Sequence, residues 1–227
     1  MTECPLGAVV GVGRTADVFE AGTGRVLRRY KYEGYDATYE ARVMRHVRRY
    51  GYPVPEVFDA AGPDLVMERV TGPTLLDHLL RNPWSARRLG GVLAELLEQL
   101  HEIEAPSWMP DSHGPGQAVL HLDLHLSNVI MTEHGPVVID WRNARRGAPM
   151  ADVANTWLVL ATAGRFGQAW WAAVVRSSLL SSFLRHFSAD ELMAHLPEVA
   201  ERRFTDRGVE EKDRVAAARL LQRLGFP

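Results

Sequence analysis

The sequence predicts an α+β chain of two lobes: an N-terminal antiparallel sheet lobe with one helix over residues 1–70, then a mainly helical C-terminal lobe over residues 71–227. Three observations predict it. Short β-branched segments separated by glycine turns fill residues 8–30. One amphipathic helix and two further strands follow before Pro73. Apolar stripes at helical spacing then dominate the rest of the chain.

Ala8 to Val12 is apolar and β-branched, Gly11 and Gly13 punctuate it, and Asp17-Val18-Phe19-Glu20 resumes a strand pattern. Gly22-Thr23-Gly24 is a turn and Val26 to Tyr30 a third strand, so the three read as an antiparallel meander. Asp36 can cap a helix running to about Tyr50, because Tyr39, Val43 and Val47 recur every four residues and Gly51 is a natural stop. Pro53 and Pro55 break the chain before strands at Glu56–Ala60 and Asp64–Glu68. Ser85 opens a long helix whose face of Leu89, Val92, Leu93, Leu96, Leu97 and Leu100 is core rather than a partner groove. Two β segments, Val119–Leu124 and Pro136–Ile139, interrupt the helical part, and helices are expected at Ala151–Ala163, Gly167–Phe187, Ala189–Val199 and Val209–Leu224.

Composition narrows the function. With 46% hydrophobic and 24% charged residues the chain is an ordinary globular protein. A net charge of −2 supplies no electrostatic footprint for nucleic acid or an anionic membrane. Lys31 and Lys212 are the only lysines among 26 basic side chains, which reads first as a compositional bias of a GC-rich genome and second as arginine doing phosphate work usually given to lysine. The single cysteine, Cys4, fits a reducing, cytoplasmic compartment, and no secretory leader or stretch long enough to span a bilayer is expected.

The strongest chemical signal is His121-Leu122-Asp123-Leu124-His125-Leu126-Ser127-Asn128, followed by Val137-Val138-Ile139-Asp140-Trp141. Phosphoryl transfer needs a carboxylate to take the acceptor's proton and oxygen ligands to hold Mg²⁺ against nucleotide phosphates. An Asp, an Asn five residues on, and an Asp closing a short apolar strand supply those groups. A second reading uses the alternation of His121, Asp123 and His125 as ligands of a metal-dependent hydrolase, with His113 and His134 as the only further histidines nearby. In a third, His121 stiffens the loop through backbone hydrogen bonds.

This segment resembles the H-x-D-x-x-x-x-N catalytic loop of the aminoglycoside phosphotransferase family, small-molecule kinases of the protein-kinase-like fold. Asp140-Trp141 is similar to their counterpart of the kinase D-F-G, and Gly147-Ala148-Pro149-Met150-Ala151-Asp152-Val153-Ala154 resembles their G-x-P-x-x-D-x-A stretch. The resemblance implies a nucleotide-binding first lobe and a catalytic, acceptor-binding second lobe, with ATP and Mg²⁺ as cofactors and a small molecule's hydroxyl as acceptor. It makes Asp123 the catalytic base, Asn128 and Asp140 the metal ligands, and His121 and Asp152 supports of the loop.

Three further segments bear on nucleotide binding. Gly11-Val12-Gly13-Arg14-Thr15-Ala16 can bring backbone amides close to phosphates, although any tight hairpin can carry such a G-x-G, and Ala16 stands where the kinase pattern has a third glycine. The family places a lysine on the third strand; here the corresponding residue is Arg28. Strand alternation puts Val26 and Arg28 on one face, for adenine and phosphate respectively, with Leu27, Arg29 and Lys31 on the other. Glu40 on the following helix is the expected partner of Arg28, whose other reading is a plain exposed strand residue. Leu65 to Gly72, with Glu68 and Val70, resembles the hinge that binds adenine through backbone groups.

Arg28 and Ala16 also fit a catalytically impaired nucleotide-binding pseudokinase. The chain after Asp152 is short for the family, which implies a reduced or open acceptor site, or completion by a second copy; a monomer and a homodimer are both compatible. Carboxylates between Asp190 and Asp213 alternate with Arg185, Arg202, Arg203, Arg207 and Arg214, a pattern read here as a solvated, ion-paired face rather than an aminoglycoside site.

Overall fold

A computed structural model describes residues 7–32, 34–112, 114–162, 170–206 and 209–226, without the side chain of Trp170. Cys4, His113, Ala163, Gly167 and Arg207 lie outside the described residues. The architecture is α+β: an antiparallel sheet of five strands and a mostly helical remainder.

The sheet is built from β1 (Val9–Val12), β2 (Ala16–Glu20), β3 (Arg25–Tyr30), β4 (Val57–Ala61) and β5 (Asp64–Glu68), in the order β1-β2-β3-β5-β4 with every pairing antiparallel. Sequential strands pair because short glycine-bearing turns, Gly13 to Thr15 and Ala21 to Gly24, return the chain at once, whereas β4 and β5 follow the helix α1 (Ala37–Arg49). Asp36 caps α1 by accepting from the Thr38 amide at 2.9 Å. The face of α1 with Glu40, Val43, Met44 and Val47 is buried, as the four-residue recurrence predicts. Burial on β3 does not alternate strictly: Val26, Arg28 and Tyr30 are covered on one face, and Leu27 is covered on the other between an exposed Arg25 and a partly exposed Arg29.

The contact pattern divides the chain into two units that are not single stretches of sequence. Met1–Gly72 groups with Ile130–Arg142, and Pro73–Val129 groups with Asn143–Pro227. The reason is a return excursion: strands β7 (Val129–Thr132) and β8 (Gly135–Val138) form a hairpin, and the Val138 amide donates to the Pro53 carbonyl at 2.9 Å. Trp141, fully buried, packs edge-on against Tyr52.

The second unit begins with α2 (Leu75–Arg81), opened by a capping box of Thr74 and Asp77. A 3₁₀ turn at Pro83–Ser85 precedes α3 (Ala86–His101), so Ser85 belongs to the turn and makes no capping bond. The leucine stripe of α3 is core, with Val92 at its edge. Helix α5 (Trp170–Leu184) lies against it, and Gly90 permits this: a Cβ there would stand 2.3 Å from the Leu179 carbonyl oxygen.

Helices α4 (Pro149–Thr162), α6 (Ala189–Thr205) and α7 (Glu211–Arg223) complete the unit. α6 runs past the expected stop at Val199, and past Pro197, because Leu196, Val199 and Ala200 keep burying one face. Two short strands, β6 (Ala118–Leu120) and β9 (Arg145–Gly147), pair antiparallel. The strand expected over Val119–Leu124 therefore ends at Leu120. Leu122 adopts a left-handed φ of 58°, which no strand accommodates, and α4 takes the backbone groups that a strand partner would have used.

Candidate active site

In the second unit, residues 121–128 form an irregular loop fixed from below by one face of α4. Asp152, Asn155 and Thr156 are spaced i, i+3, i+4, which aligns them on the helix surface. Asp152 accepts from the His121 and Leu122 amides, both at 2.7 Å. Asn155 Nδ2 donates to the Leu122 carbonyl at 2.8 Å, and Thr156 Oγ1 to the Leu124 carbonyl at 3.0 Å. Leu122, strained at φ 58°, thus has both its N–H and its C=O held by buried side chains. Strain of this kind persists only where the surroundings over-determine it.

The next residue is Asp123. Its own amide donates to His121 Nδ1 at 3.2 Å, and its carbonyl accepts from Asn128 Nδ2 at 2.9 Å. The loop thus brings together His121, Asp123, Asn128 and Asp152. With Nδ2 spent on that carbonyl, Oδ1 is the atom Asn128 has left for a cation. His125 Nδ1 accepts from the Ser127 amide at 3.2 Å, which caps the 3₁₀ turn Leu126–Asn128, and Nε2 lies 3.8 Å from Asp123 Oδ1.

Both histidines spend the Nδ1 lone pair on a backbone amide, so each neutral ring carries its proton on Nε2 and has no lone pair to give a metal. Among the described residues no group of three or more His, Cys, Asp or Glu could hold a metal ion, which is the kind of site the hydrolase reading needs. Mg²⁺ asks less, one or two hard protein oxygens beside phosphate and water, and Asn128 and Asp140 are donors of that class.

Asp152 is fully buried. Burial alone would push its carboxyl up, but the hydrogen bond from His101, whose Nε2 lies 3.3 Å away, and the backbone hydrogen bond from the His121 amide outweigh it and hold it below the ordinary value. The carboxylate therefore stays ionised and keeps both amides.

The first unit carries the residues that the sequence assigns to nucleotide binding. Arg28, 7% exposed, donates from Nη1 to Glu40 Oε1 at 2.5 Å and from Nη2 to Asp140 Oδ1 at 2.6 Å. Arg28 is no plain surface residue. Glu40, 1% exposed, also accepts from the Tyr30 hydroxyl at 2.5 Å and from the Trp141 amide at 3.0 Å. Burial would lower the Arg28 pKa, yet Glu40 and Asp140 together raise it further above its ordinary value, so its charge is permanent. Burial, then the Glu40 charge, push the Tyr30 phenol well up, and it remains a donor. Asp140 has a left-handed φ of 68°, and Arg142 Nε stands 3.7 Å from its Oδ1.

In the hairpin between β1 and β2, the Gly13 amide donates to the Ala16 carbonyl at 2.9 Å, and a Cβ on Gly13 would stand 2.6 Å from that oxygen. Gly13 is therefore required by the turn itself, while space around Gly11 is open. Lys31 Nζ donates to the Gly13 carbonyl at 2.7 Å and pairs with Asp17 at 2.9 Å. Arg14 is exposed. Val26 is buried opposite Met67, and the exposed Glu68 accepts from the Glu56 amide at 3.1 Å. Glu68 and Val70 line a cavity of about 880 Å³ with Arg48, Tyr52 and Pro136.

Sequence reasoning missed Tyr30, Lys31, His101, Asn155 and Thr156. The D-x-x-N-T spacing, a polar stripe on an otherwise apolar helix, was the available signal for the last two. It also misread the end of α6. Arg202 and Arg203 are not on a solvated face: both are partly buried and line a small cleft with Asp123, Asn143, Asn155 and Asp206. Helical spacing turns 199, 202, 203 and 206 to one side, so the burial of Val199 carries the arginines inward.

Known proteins are similar along most of the chain. The APH model, the phosphotransferase enzyme family, matches residues 7–117 and 97–201. A probable bifunctional tRNA threonylcarbamoyladenosine biosynthesis protein of Methanoculleus marisnigri is 31% identical over 144 residues, 58% of this chain; the chain spans about a quarter (24%) of that relative's length. Aminoglycoside phosphotransferase APH(4)-Ia is similar in structure at a TM-score of 0.68, with 17% identity over 97% of this chain and 94% of the other. A thermostable mutant of it, in a ternary complex with AMP-PNP and hygromycin B, gives 0.70 at 17% identity over 96% and 93%. A choline/ethanolamine kinase family protein from Mesorhizobium loti gives 0.59 at 17% identity over 97% and 87%. These likenesses carry the fold, which is that of the protein-kinase-like phosphotransferases. The chain belongs to the APH phosphotransferase enzyme family.

Proposed function

We propose that this chain transfers the γ-phosphoryl group of ATP to a hydroxyl of a small molecule, with Asp123 as base and Asn128 and Asp140 as the Mg²⁺ ligands. The observation that carries the reading is the loop around Asp123. A strained Leu122 and four backbone groups are held by three buried polar residues of α4, an expense that a merely structural loop has no need of. The AMP-PNP bound by the similar APH(4)-Ia mutant supports a nucleotide, and the hygromycin B beside it supports a small hydroxyl compound as acceptor.

In the reaction the acceptor oxygen forms a bond to the γ-phosphorus as the bond from that phosphorus to the β–γ bridging oxygen breaks. ADP departs with the electron pair, and the acceptor's proton passes to the Asp123 carboxylate. Bound at Asn128 and Asp140, Mg²⁺ would neutralise charge on the phosphate oxygens. The first unit would bind the nucleotide, with Gly11, Gly13 and Arg14 serving the phosphates, Val26, Glu68 and Val70 serving the base, and Arg28, oriented by Glu40, supplying the cation. The second supplies base and acceptor site. We assign the reaction to the cytoplasm, on the single cysteine of the sequence.

Replacing Asp123 by Asn lowers turnover by roughly 10²- to 10⁴-fold while nucleotide affinity is kept. Transfer to an identified acceptor at near wild-type rate in that variant would sink the assignment.

One observation favours a second reading, an impaired nucleotide-binding pseudokinase: Asp140 is already paired with Arg28. ADP production with Mg²⁺ across an acceptor panel separates the two. A pseudokinase binds nucleotide and releases no ADP beyond background.

A further inference from the structure

The cleft beside Asp123 lies wholly within the second unit and has a composition of its own. Its walls carry two guanidiniums, Arg202 and Arg203, two amides, Asn143 and Asn155, and two carboxylates, Asp123 and Asp206. Under the phosphotransferase reading, on which this inference rests, Asp123 is committed to the hydroxyl's proton. The rest of an acceptor then meets two guanidiniums and one carboxylate. The four charges of the lining balance, so nothing there gathers a polycation, while an anionic substituent can pair with a guanidinium. The volume open to water-sized groups is about 30 Å³. A water needs roughly 10–15 Å³ by that measure, so a carboxylate-sized head fits and a bulky one does not.

The arginines do more than end a helix. Cations in the last turn of α6 complement its dipole, and these two are also drawn partly out of water toward the cleft. Arg202 is tied by a hydrogen bond from Nη1 to Ser112 Oγ. Arg203 buries its Nε with no hydrogen-bond partner among the described residues. That nitrogen is closed to solvent and fixes the stem of the side chain, so an anion in the cleft would be met by the terminal guanidinium nitrogens of Arg203. The cleft is also held in shape: Asn155 is fixed on the Leu122 carbonyl, and Arg214 Nη2 donates to the Asp206 carbonyl at 2.9 Å.

We infer that the acceptor is an anionic alcohol, with a carboxylate or phosphate beside the reacting hydroxyl, and that Arg203 is the residue that selects it. The bidentate geometry of a guanidinium suits either oxyanion.

Direct titration of the full chain with glycerate, glycerol 3-phosphate, glycerol and choline tests this without requiring turnover. Glycerate or glycerol 3-phosphate is expected to bind more tightly than glycerol, and choline least. The preferred anion distinguishes a carboxylate from a phosphate pocket. Arg203→Gln should erase the anion's advantage, a loss of roughly 10- to 100-fold, and Arg203→Lys should restore part of it. Binding of both anions no tighter than glycerol, tighter binding of choline, or an unchanged preference in Arg203→Gln overturns the inference. The wild-type comparison decides even if a variant fails to fold. Binding of Mg·ADP is read in the same samples: its absence sinks the phosphotransferase reading itself, whereas its presence without an anion preference sinks only the acceptor class.

Discussion

The guanidinium of Arg28 joins Glu40 to Asp140, holding the first at 2.5 Å through one nitrogen and the second at 2.6 Å through another. Asp140 stands 112 residues away in sequence, and it is the carboxylate proposed to ligate Mg²⁺. Arg28 is therefore both a support and a competitor for that site.

Arg28→Gln leaves the buried Glu40 without its cation, and breaking one side of a buried pair costs about 3–5 kcal/mol. Chemical denaturation should register that loss. Arg28→Lys keeps a charge near Glu40 but cannot serve both carboxylates from two spread nitrogens. It should lower the Mg²⁺ concentration that half-saturates nucleotide binding by roughly tenfold, the worth of one charge-assisted hydrogen bond. An unchanged Mg²⁺ requirement means Arg28 does not compete.

Tyr30→Phe removes the hydroxyl that donates to Glu40 Oε2 and leaves that oxygen buried. The expected cost is about 1–3 kcal/mol in unfolding free energy. Nucleotide KM should rise more than kcat falls, because the hydroxyl orients Glu40 and, through it, Arg28. A stable variant with wild-type KM would show that Arg28 is positioned without it.

Asp152 sets the acid limit of the loop. Its carboxyl is held below the ordinary value in the folded chain, so its contribution is complete above that ordinary value and is lost as pH falls toward the folded one. Asp152→Asn should be less stable near neutrality and show a shallower loss of stability below about pH 4. Denaturation between pH 3 and 7 checks this, and parallel acid limbs in the two proteins would refute it.

The sequence by itself determined the sheet lobe, the cap of α1, the leucine core of α3 and the order of the Asp123, Asn128 and Asp140 motif. Each of these is written in local spacing: alternation, four-residue recurrence, and turn or cap residues whose preference is intrinsic. Tertiary structure alone decided three things. It turned Leu122 left-handed, because α4 supplies better partners for its backbone than a neighbouring strand does. It gave Arg28 a second carboxylate from a distant segment, since long-range ion pairs leave no periodic trace. It also swung Arg202 and Arg203 toward Asp123, because helix phase is fixed by which face is buried, and the alternating charges of α6 do not name that face.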